Sequence, residues 1–286
     1  MKTSRIFLAA VIFISIGTGR IYAEENVKNE AAFKSRSVAA SDVDAQSGNI
    51  AVQEVEFKYD LKTKAFEKLP VEFSIKINHR GIDDEVPELL PTRLESRQLG
   101  LGTKFPAPFI ADEHYFVGVD IFPTLNTDDW TLKGGAFRMP VRAYLIYKRS
   151  EEFILIGGLT VRPSYDSTVL PVIGLIYKPN DHLSFNLASD SPNISYKLTE
   201  KTTLLWEFNY ALEEYEVTRG GQDGVVLKYN ELSTGAGLEH AFTQYMKAAL
   251  GVGAVFARRI EFKNEDYGKV VPDAGVYVQA RLTADF

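Results

Sequence analysis

His182, Ser184 and Asn186 occupy alternate positions of one short segment, and their residue types are those of a hydrolytic site. A serine hydroxyl becomes a nucleophile when a histidine accepts its proton, and an amide can hold the histidine ring in place. Because alternate residues of a β-strand point to one face, a strand here would bring the three side chains together. The segment is therefore a candidate for ester cleavage.

The surroundings of this segment alternate between apolar and polar residues, which is the signature of β-strands. Leu183, Phe185 and Leu187 follow the three candidate residues in turn. After the N-terminal region no apolar run approaches the roughly 20 residues that a membrane-spanning helix needs, so any membrane span must consist of strands. Candidate strands start near Val52, Val71, Arg93, Tyr115, Pro140, Phe153, Val169, His182, Ile194, Thr203, Lys228, Tyr245 and Ala274.

The N-terminal residues have the layout of a secretory signal peptide, since Lys2 and Arg5 precede an apolar run and small residues lead to Ala23. We predict that residues 1–23 are removed. Residues 24–50 are polar and aperiodic, which predicts a mobile leader, and residues 51–286 form the strand-rich domain. The chain has no Cys, which excludes disulfides, thiolate chemistry and a lipid anchor on cysteine.

The charge of the chain limits its partners. The 38 acidic residues outnumber the 32 basic ones, which disfavours nucleic acid as a partner. The four His residues lie far apart in sequence, and we interpret the acidic pairs in predicted loops as solvated charge, so we predict no cofactor and no metal site. Export without disulfides is typical of the bacterial envelope, where outer-membrane lipid and lipopolysaccharide would surround the protein.

Two architectures share this strand pattern: a soluble sandwich or barrel with its apolar face inward, and an outer-membrane barrel with its apolar face outward. The run at 245–257 is as long as a tilted strand that spans a bilayer. Counted back from Phe286, longer and shorter connections alternate, as they do when only one set lies outside the cell. The sequence thus predicts an all-β, antiparallel up-and-down transmembrane β-barrel. Because such barrels normally have an even number of strands, one of the first three candidates is discarded, which leaves about 12 strands within a range of 10 to 14.

Residues 170–210 carry a family resemblance. They read LPVIGLIYKPNDHLSFNLASDSPNISYKLTEKTTLLWEFNY, a strand, a Lys-Pro-Asn-Asp turn, a hairpin and a return strand. This stretch resembles a family of uncharacterised bacterial outer-membrane β-barrel proteins known as a domain of unknown function, and the similarity extends to the C-terminus. The resemblance implies a barrel in the outer membrane but no reaction, ligand or catalytic residue.

The sequence ends on an unbroken alternation in which Leu282, Ala284 and Phe286 share the apolar face. A terminal strand of this kind predicts pairing with the first strand, because a barrel in lipid leaves no free sheet edge. We interpret the three residues as a signal read by the machinery that assembles barrels in the outer membrane.

The opposite faces of the same strands are polar, and they predict the lining of a lumen. The candidate lumen residues are Glu207, Asn209, Lys247, Gln279 and Arg281. Both charge signs are present, and opposite charges inside a narrow barrel tend to pair because an unpaired charge away from water is costly. The lumen is therefore predicted to be narrow or filled.

Three functions fit this chain: a narrow pore or transport barrel for a small solute, a structural barrel of the envelope, and a lipid-modifying enzyme. The spacing of His182 and Ser184 resembles the His-x-Ser motif of outer-membrane phospholipases, which is the basis of the enzyme alternative. However, a lipid substrate requires a site facing the bilayer, and in the predicted barrel Leu183 and Phe185 face the lipid while His182, Ser184 and Asn186 face the lumen. We therefore predict a barrel that is not an enzyme.

Overall fold

The structure, a computed structural model, describes residues 28–43, 48–65, 69–85, 90–129, 135–188, 192–263 and 268–286. The predicted signal peptide at residues 1–23 lies outside these ranges. Within them, no helix is long and apolar enough to cross a membrane.

Within the described ranges, seventeen strands make up one sheet. Their bounds are β1 Lys28–Asp42, β2 Asn49–Ala65, β3 Leu69–Asp84, β4 Arg93–Pro106, β5 Tyr115–Ile121, β6 Thr124–Thr127, β7 Phe137–Arg138, β8 Val141–Lys148, β9 Phe153–Val161, β10 Val169–Tyr177, β11 Leu183–Asn186, β12 Asn193–Lys197, β13 Thr202–Arg219, β14 Gln222–Ala241, β15 Met246–Phe262, β16 Lys269–Val270 and β17 Gly275–Asp285.

The sheet closes on itself as an antiparallel barrel, because β1 pairs with β2 on one side and with β17 on the other. β5 and β6 form one position in the wall, interrupted at Pro123, and β7 continues into β8 in the same way. β16 and β17 both pair with β15 and count as one position, so the ring has about 14 strand positions. We call the rim that contains Lys28 and Phe286 the terminal rim, and the opposite rim the loop rim.

The strand number lies within the predicted range, but the estimate of 12 is too low by two. All the candidate strands exist, so discarding one of the first three was wrong. The second missing strand is β1, which lies in the segment predicted as a mobile leader; that prediction is wrong for residues 28–42. The outward face of β1 carries small residues such as Ala31, Ser35 and Ser37, so its alternation is weak in the sequence.

The two faces of the wall differ in polarity. The outward face is a belt of exposed large apolar side chains, among them Leu155, Ile173, Leu204, Trp206, Leu238, Leu250, Val252, Val276 and Val278. The inward face holds buried charged residues such as Arg36, Arg80, Glu207, Glu231 and Arg258. Apolar residues outside and polar residues inside are the arrangement of a barrel whose surroundings are lipid.

The interior at the loop rim is packed solid. A buried apolar cluster fills it, contributed by the loop-rim ends of β1 to β4 and of β13 to β17: Val38, Val43, Ile50, Val52, Ile82, Leu94, Tyr215, Val217, Leu227, Tyr229, Val255, Ile260, Phe262, Val270 and Tyr277. Tyr277 fits because its ring covers Gly235 and Gly253, where an added Cβ would collide with it. We call this cluster the loop-rim seal.

The hairpin of β13 and β14 continues almost to its turn. The two strands extend to Arg219 and from Gln222. Gly220 and Gly221 make the turn alone, with φ of 57° and 80°, the left-handed values that a tight two-residue hairpin requires and glycine adopts freely.

Candidate lumenal site

The residues of the predicted hydrolytic site do not form a catalytic group. His182 precedes β11, and its ring stacks on Tyr196 at 6.1 Å between centroids. Tyr196 is paired with Leu183, whereas Ser184 is opposite Ser195, so alternation places Tyr196 and Ser184 on opposite faces. His182 Nδ1 lies 3.0 Å from the carbonyl oxygen of Lys197. Within the described part of the chain no hydrogen bond joins His182, Ser184 and Asn186, and the geometry offers no activated hydroxyl.

Three of the predicted lumen residues come together inside the barrel. Arg281 donates to one carboxylate oxygen of Glu207 at 2.5 Å, and Gln279 donates to the other at 2.5 Å. Arg281 also lies 3.4 Å from Glu239. These contacts hold β13, β14 and β17 against one another across the inner surface.

The two other predicted lumen residues stay apart from this group. Asn209 is opposite Ser233 on the inward face, and Lys247 is opposite Thr283 near the terminal rim. No hydrogen bond among the described residues links either of them to Glu207.

A layer of buried ion pairs lies directly beneath the loop-rim seal, and no local pattern in the sequence indicates it. Glu231 accepts hydrogen bonds from Arg36 at 2.6 Å, from Arg258 at 2.9 Å and from the hydroxyl of Tyr229 at 2.6 Å. The guanidinium of Arg36 also stacks on Tyr277, 4.2 Å from the ring centroid. One carboxylate thus bridges two cations that come from β1 and β15.

A second group of the same layer crosses from β2 and β3 to β13. Arg80 donates to Glu213 at 2.7 Å, to Glu54 at 3.0 Å and to the hydroxyl of Tyr215 at 3.0 Å. Arg80 is 133 residues from Glu213 in sequence, so only barrel closure reveals the pair. Together with the apolar cluster above it, this layer closes the lumen at the loop rim.

The opposite half of the interior is open. A cavity of about 870 Å³ lies between the inward faces of β2 to β5 and β8 to β10. It reaches the terminal rim, where Leu69, Pro70 and Lys148 line it, and Ser74 and Lys76 lie deeper. The lumen therefore resembles a blind pocket that opens at one rim.

The edge of β13 beyond β12 is covered by side chains and by a short parallel pairing with β6, in which Glu216 is opposite Thr127. β12 pairs with β13 only as far as Glu207. Above that, Arg162 donates to the carbonyl of Leu212 at 2.5 Å, and Asn126 donates to the carbonyl of Glu214 at 3.0 Å. These bonds satisfy peptide groups that would be costly to leave unpaired in lipid.

The connection after β9 is fixed to the far side of the barrel by Asp166. This carboxylate pairs with Lys228 and, at 2.8 Å, with Lys263. The hydrogen bonds from Lys228 and, to a smaller extent, Lys263 lower the pKa of Asp166. The ion pairs of Asp166 are therefore fully formed at pH values above the ordinary carboxyl pKa, and they are lost as the pH falls through the lowered pKa. Through this contact, residues 162–168 extend over the outside of β13 and β14.

The described residues contain no group of three His, Cys, Asp or Glu residues that could hold a metal ion. Of the acidic pairs noted in the sequence, Glu265 and Asp266 lie outside the described ranges. The absence of a metal site remains a prediction.

Comparison with known families gives one match to the sequence. The model of a domain of unknown function, DUF6268, matches residues 117–274. No curated protein sequence matches this chain.

Solved structures give matches that cover nearly the whole chain at low similarity. An outer-membrane channel from Pseudomonas putida F1 is 10% identical over 94% of this chain and 98% of its own, with a TM-score of 0.46. The P. putida toluene transporter TodX is 9% identical over 92% and 90% of the two chains, with a TM-score of 0.40. A Pseudomonas aeruginosa FadL homologue is 8% identical over 91% and 89%, with a TM-score of 0.38. At these TM-scores the matches carry no argument about function.

Proposed function

As the chain belongs to the DUF6268 family, to which no function is attached, we propose from its own geometry that it is an outer-membrane barrel that carries a small solute in its lumen. The observation that carries this proposal is the asymmetric interior, in which a cavity of about 870 Å³ opens at the terminal rim below a packed loop rim. A barrel with a purely structural role would need no cavity of this size. An open diffusion pore would need a continuous lumen, which the seal interrupts.

The orientation follows from the way such barrels are inserted. Both described ends lie at the terminal rim, and bacterial barrels have their short turns on the periplasmic side. We place the terminal rim in the periplasm and the seal at the cell surface, among the head groups of lipopolysaccharide. Leu282, Ala284 and Phe286 then belong to the outward face near the periplasmic interface, where the assembly machinery would recognise them. Phe286 donates its N–H to the carbonyl of Asn29 at 2.9 Å.

The enzyme alternative has no support from the site. His182 lies within hydrogen-bond distance of the carbonyl oxygen of Lys197 rather than of Ser184, and its ring stacks on Tyr196, on the face opposite to Ser184. The proposed barrel is not an enzyme.

Purification from outer-membrane fractions, followed by planar-bilayer recording, tests the proposal. We expect the mature protein to begin at Glu24, after cleavage behind Ala23, and to give at most small current steps because the seal blocks the lumen. Recovery as a soluble periplasmic protein would contradict the location. Large, long-lived steps of the kind that general porins show would contradict the closed lumen.

A further inference from the structure

The cavity at the terminal rim has two unlike walls. Strands β5 and β8 to β10 provide an apolar wall, made of Phe116, Phe122, Tyr144, Ile146, Ile154, Ile156, Val172 and Ile176. Ile146 is paired with Ile156, and Val172 is opposite Gly158, so these side chains form one continuous surface. The lumens of membrane barrels are generally polar, and an aliphatic wall that faces inward is a departure from that rule.

Strands β2 to β4 provide the opposite wall, which is charged. Lys58 lies 3.0 Å from Asp60, and Lys104 lies 3.4 Å from Glu72. Lys76 contacts Glu56 at 2.8 Å. These contacts hold the side chains along the wall, facing the aliphatic residues across the cavity.

The charges that line the cavity favour an anion. The residues that line the cavity include five cations and three carboxylates: Lys58, Lys76, Lys104, Arg142, Lys148, Asp60, Glu72 and Asp120. Two further carboxylates outside the lining, Glu56 and Glu151, pair with Lys76 and Lys148. Arg142 and Lys148 belong to β8 and stand beside the apolar wall. An anionic group would therefore find cations at the border of the aliphatic surface.

We propose that this cavity is a binding site for a small amphipathic anion, with its apolar body on Ile146, Ile156 and Val172 and its charged head among the lysines. The inference rests on the proposed function, because it names the class of solute that the lumen carries. The volume of about 870 Å³ lies within the range of about 300 to 1,000 Å³ that is usual for small-molecule sites. Burial of the apolar body against the wall favours binding because it removes apolar surface from water, and the head group fixes the orientation of the ligand.

Calorimetric titration of the barrel in lipid nanodiscs tests this site, with empty nanodiscs as the reference for partition into lipid. The probes are decanoate, decanol and decyltrimethylammonium, which share an aliphatic chain and differ in head group. We expect saturable binding of one decanoate per barrel, with decyltrimethylammonium weaker by roughly tenfold or more. Equal affinity for the cation would overturn the choice of an anion, and the absence of saturable decanoate binding would overturn the site.

Ile156→Asn locates the binding on the apolar wall. The amide should weaken decanoate binding by roughly tenfold, because it places a polar group against the aliphatic chain. The matched control is Leu205→Asn, an inward aliphatic residue of β13 outside the cavity lining, which should leave the affinity unchanged. If Ile156→Asn does not fold, Val172→Asn makes the same test. Binding that neither cavity variant weakens would place the site elsewhere.

Current recording tests the proposed function, and the decanoate titration tests the proposed ligand, so each proposal can be contradicted without the other. A barrel that gives only small currents but binds no decanoate keeps the closed-lumen proposal and loses the ligand. Large currents from the same preparation would instead remove the proposed function, whatever the titration shows.

Discussion

Glu231→Ala is expected to destabilise the barrel by about 3–5 kcal/mol, the usual effect of removing one partner from a buried ion pair. The carboxylate is 4% exposed and holds Arg36 at 2.6 Å and Arg258 at 2.9 Å. Without it, two guanidinium groups remain in the layer beneath the seal with their main counter-charge lost. Urea unfolding in lipid vesicles, followed by the shift in gel mobility between folded and unfolded barrel, measures the change in free energy of unfolding.

Glu151→Ala is the matched control for this variant. Glu151 also forms an ion pair, at 2.5 Å from Lys148, but its side chain is 79% exposed. Exposed pairs contribute about 0–1 kcal/mol, so the control should unfold almost as the unmodified protein does. Equal effects of both substitutions would show that the layer around Glu231 does not hold the loop rim together.

Val252→Arg is expected to cost about 2–4 kcal/mol in lipid, the penalty for a cation near the middle of a bilayer on the outer face of a barrel. Val252 lies on the outward face of β15 between Ala236 and Val278, and it is 63% exposed. On a barrel surrounded by water the same change would be close to neutral, since a surface arginine is well solvated. The folded fraction after refolding into vesicles at graded urea concentrations measures the penalty.

Met246→Arg is the matched control, because it introduces the same side chain near the membrane interface instead of near the middle of the bilayer. Met246 is the first residue of β15 and faces outward at the terminal rim. Near the interface the penalty falls to about 0–1 kcal/mol. A small effect at both positions would contradict the membrane location of the apolar belt.

Much of the wall could be predicted because its alternation is local. Leu282 and Ala284 of β17 and the following Phe286 alternate with polar residues, and the inward position of Gln279 and Arg281 follows from the same period. The strand β1 was missed because Phe33 is the one large apolar side chain on its outward face beside small residues such as Ala31 and Ser35, so the period is visible only when the pairing with β2 and β17 is known.

The interior could not be predicted to the same extent, since its contacts depend on closure of the ring. Arg36 and Glu231 are 195 residues apart in sequence, and no local pattern in the sequence indicates that they form an ion pair. The cavity depends on which inward faces oppose each other, for example Lys58 of β2 and Ile156 of β9. His182 illustrates the reverse error: the spacing with Ser184 suggested a shared face, but β11 begins only at Leu183.

Alkylation of engineered cysteines tests most directly whether the lumen is open at the terminal rim and sealed towards the loop rim. The natural chain has no Cys, so Ser74→Cys and Ser233→Cys each introduce a single thiol by the same change on an inward face. Ser74 lines the cavity, whereas Ser233 is 2% exposed beside the buried layer. We expect a small charged maleimide to label Ser74→Cys at least about tenfold faster than Ser233→Cys in the folded barrel, and both equally after unfolding, because a buried thiol reacts only when the structure opens. Equal rates in the folded protein would show a continuous aqueous lumen and would contradict the sealed barrel.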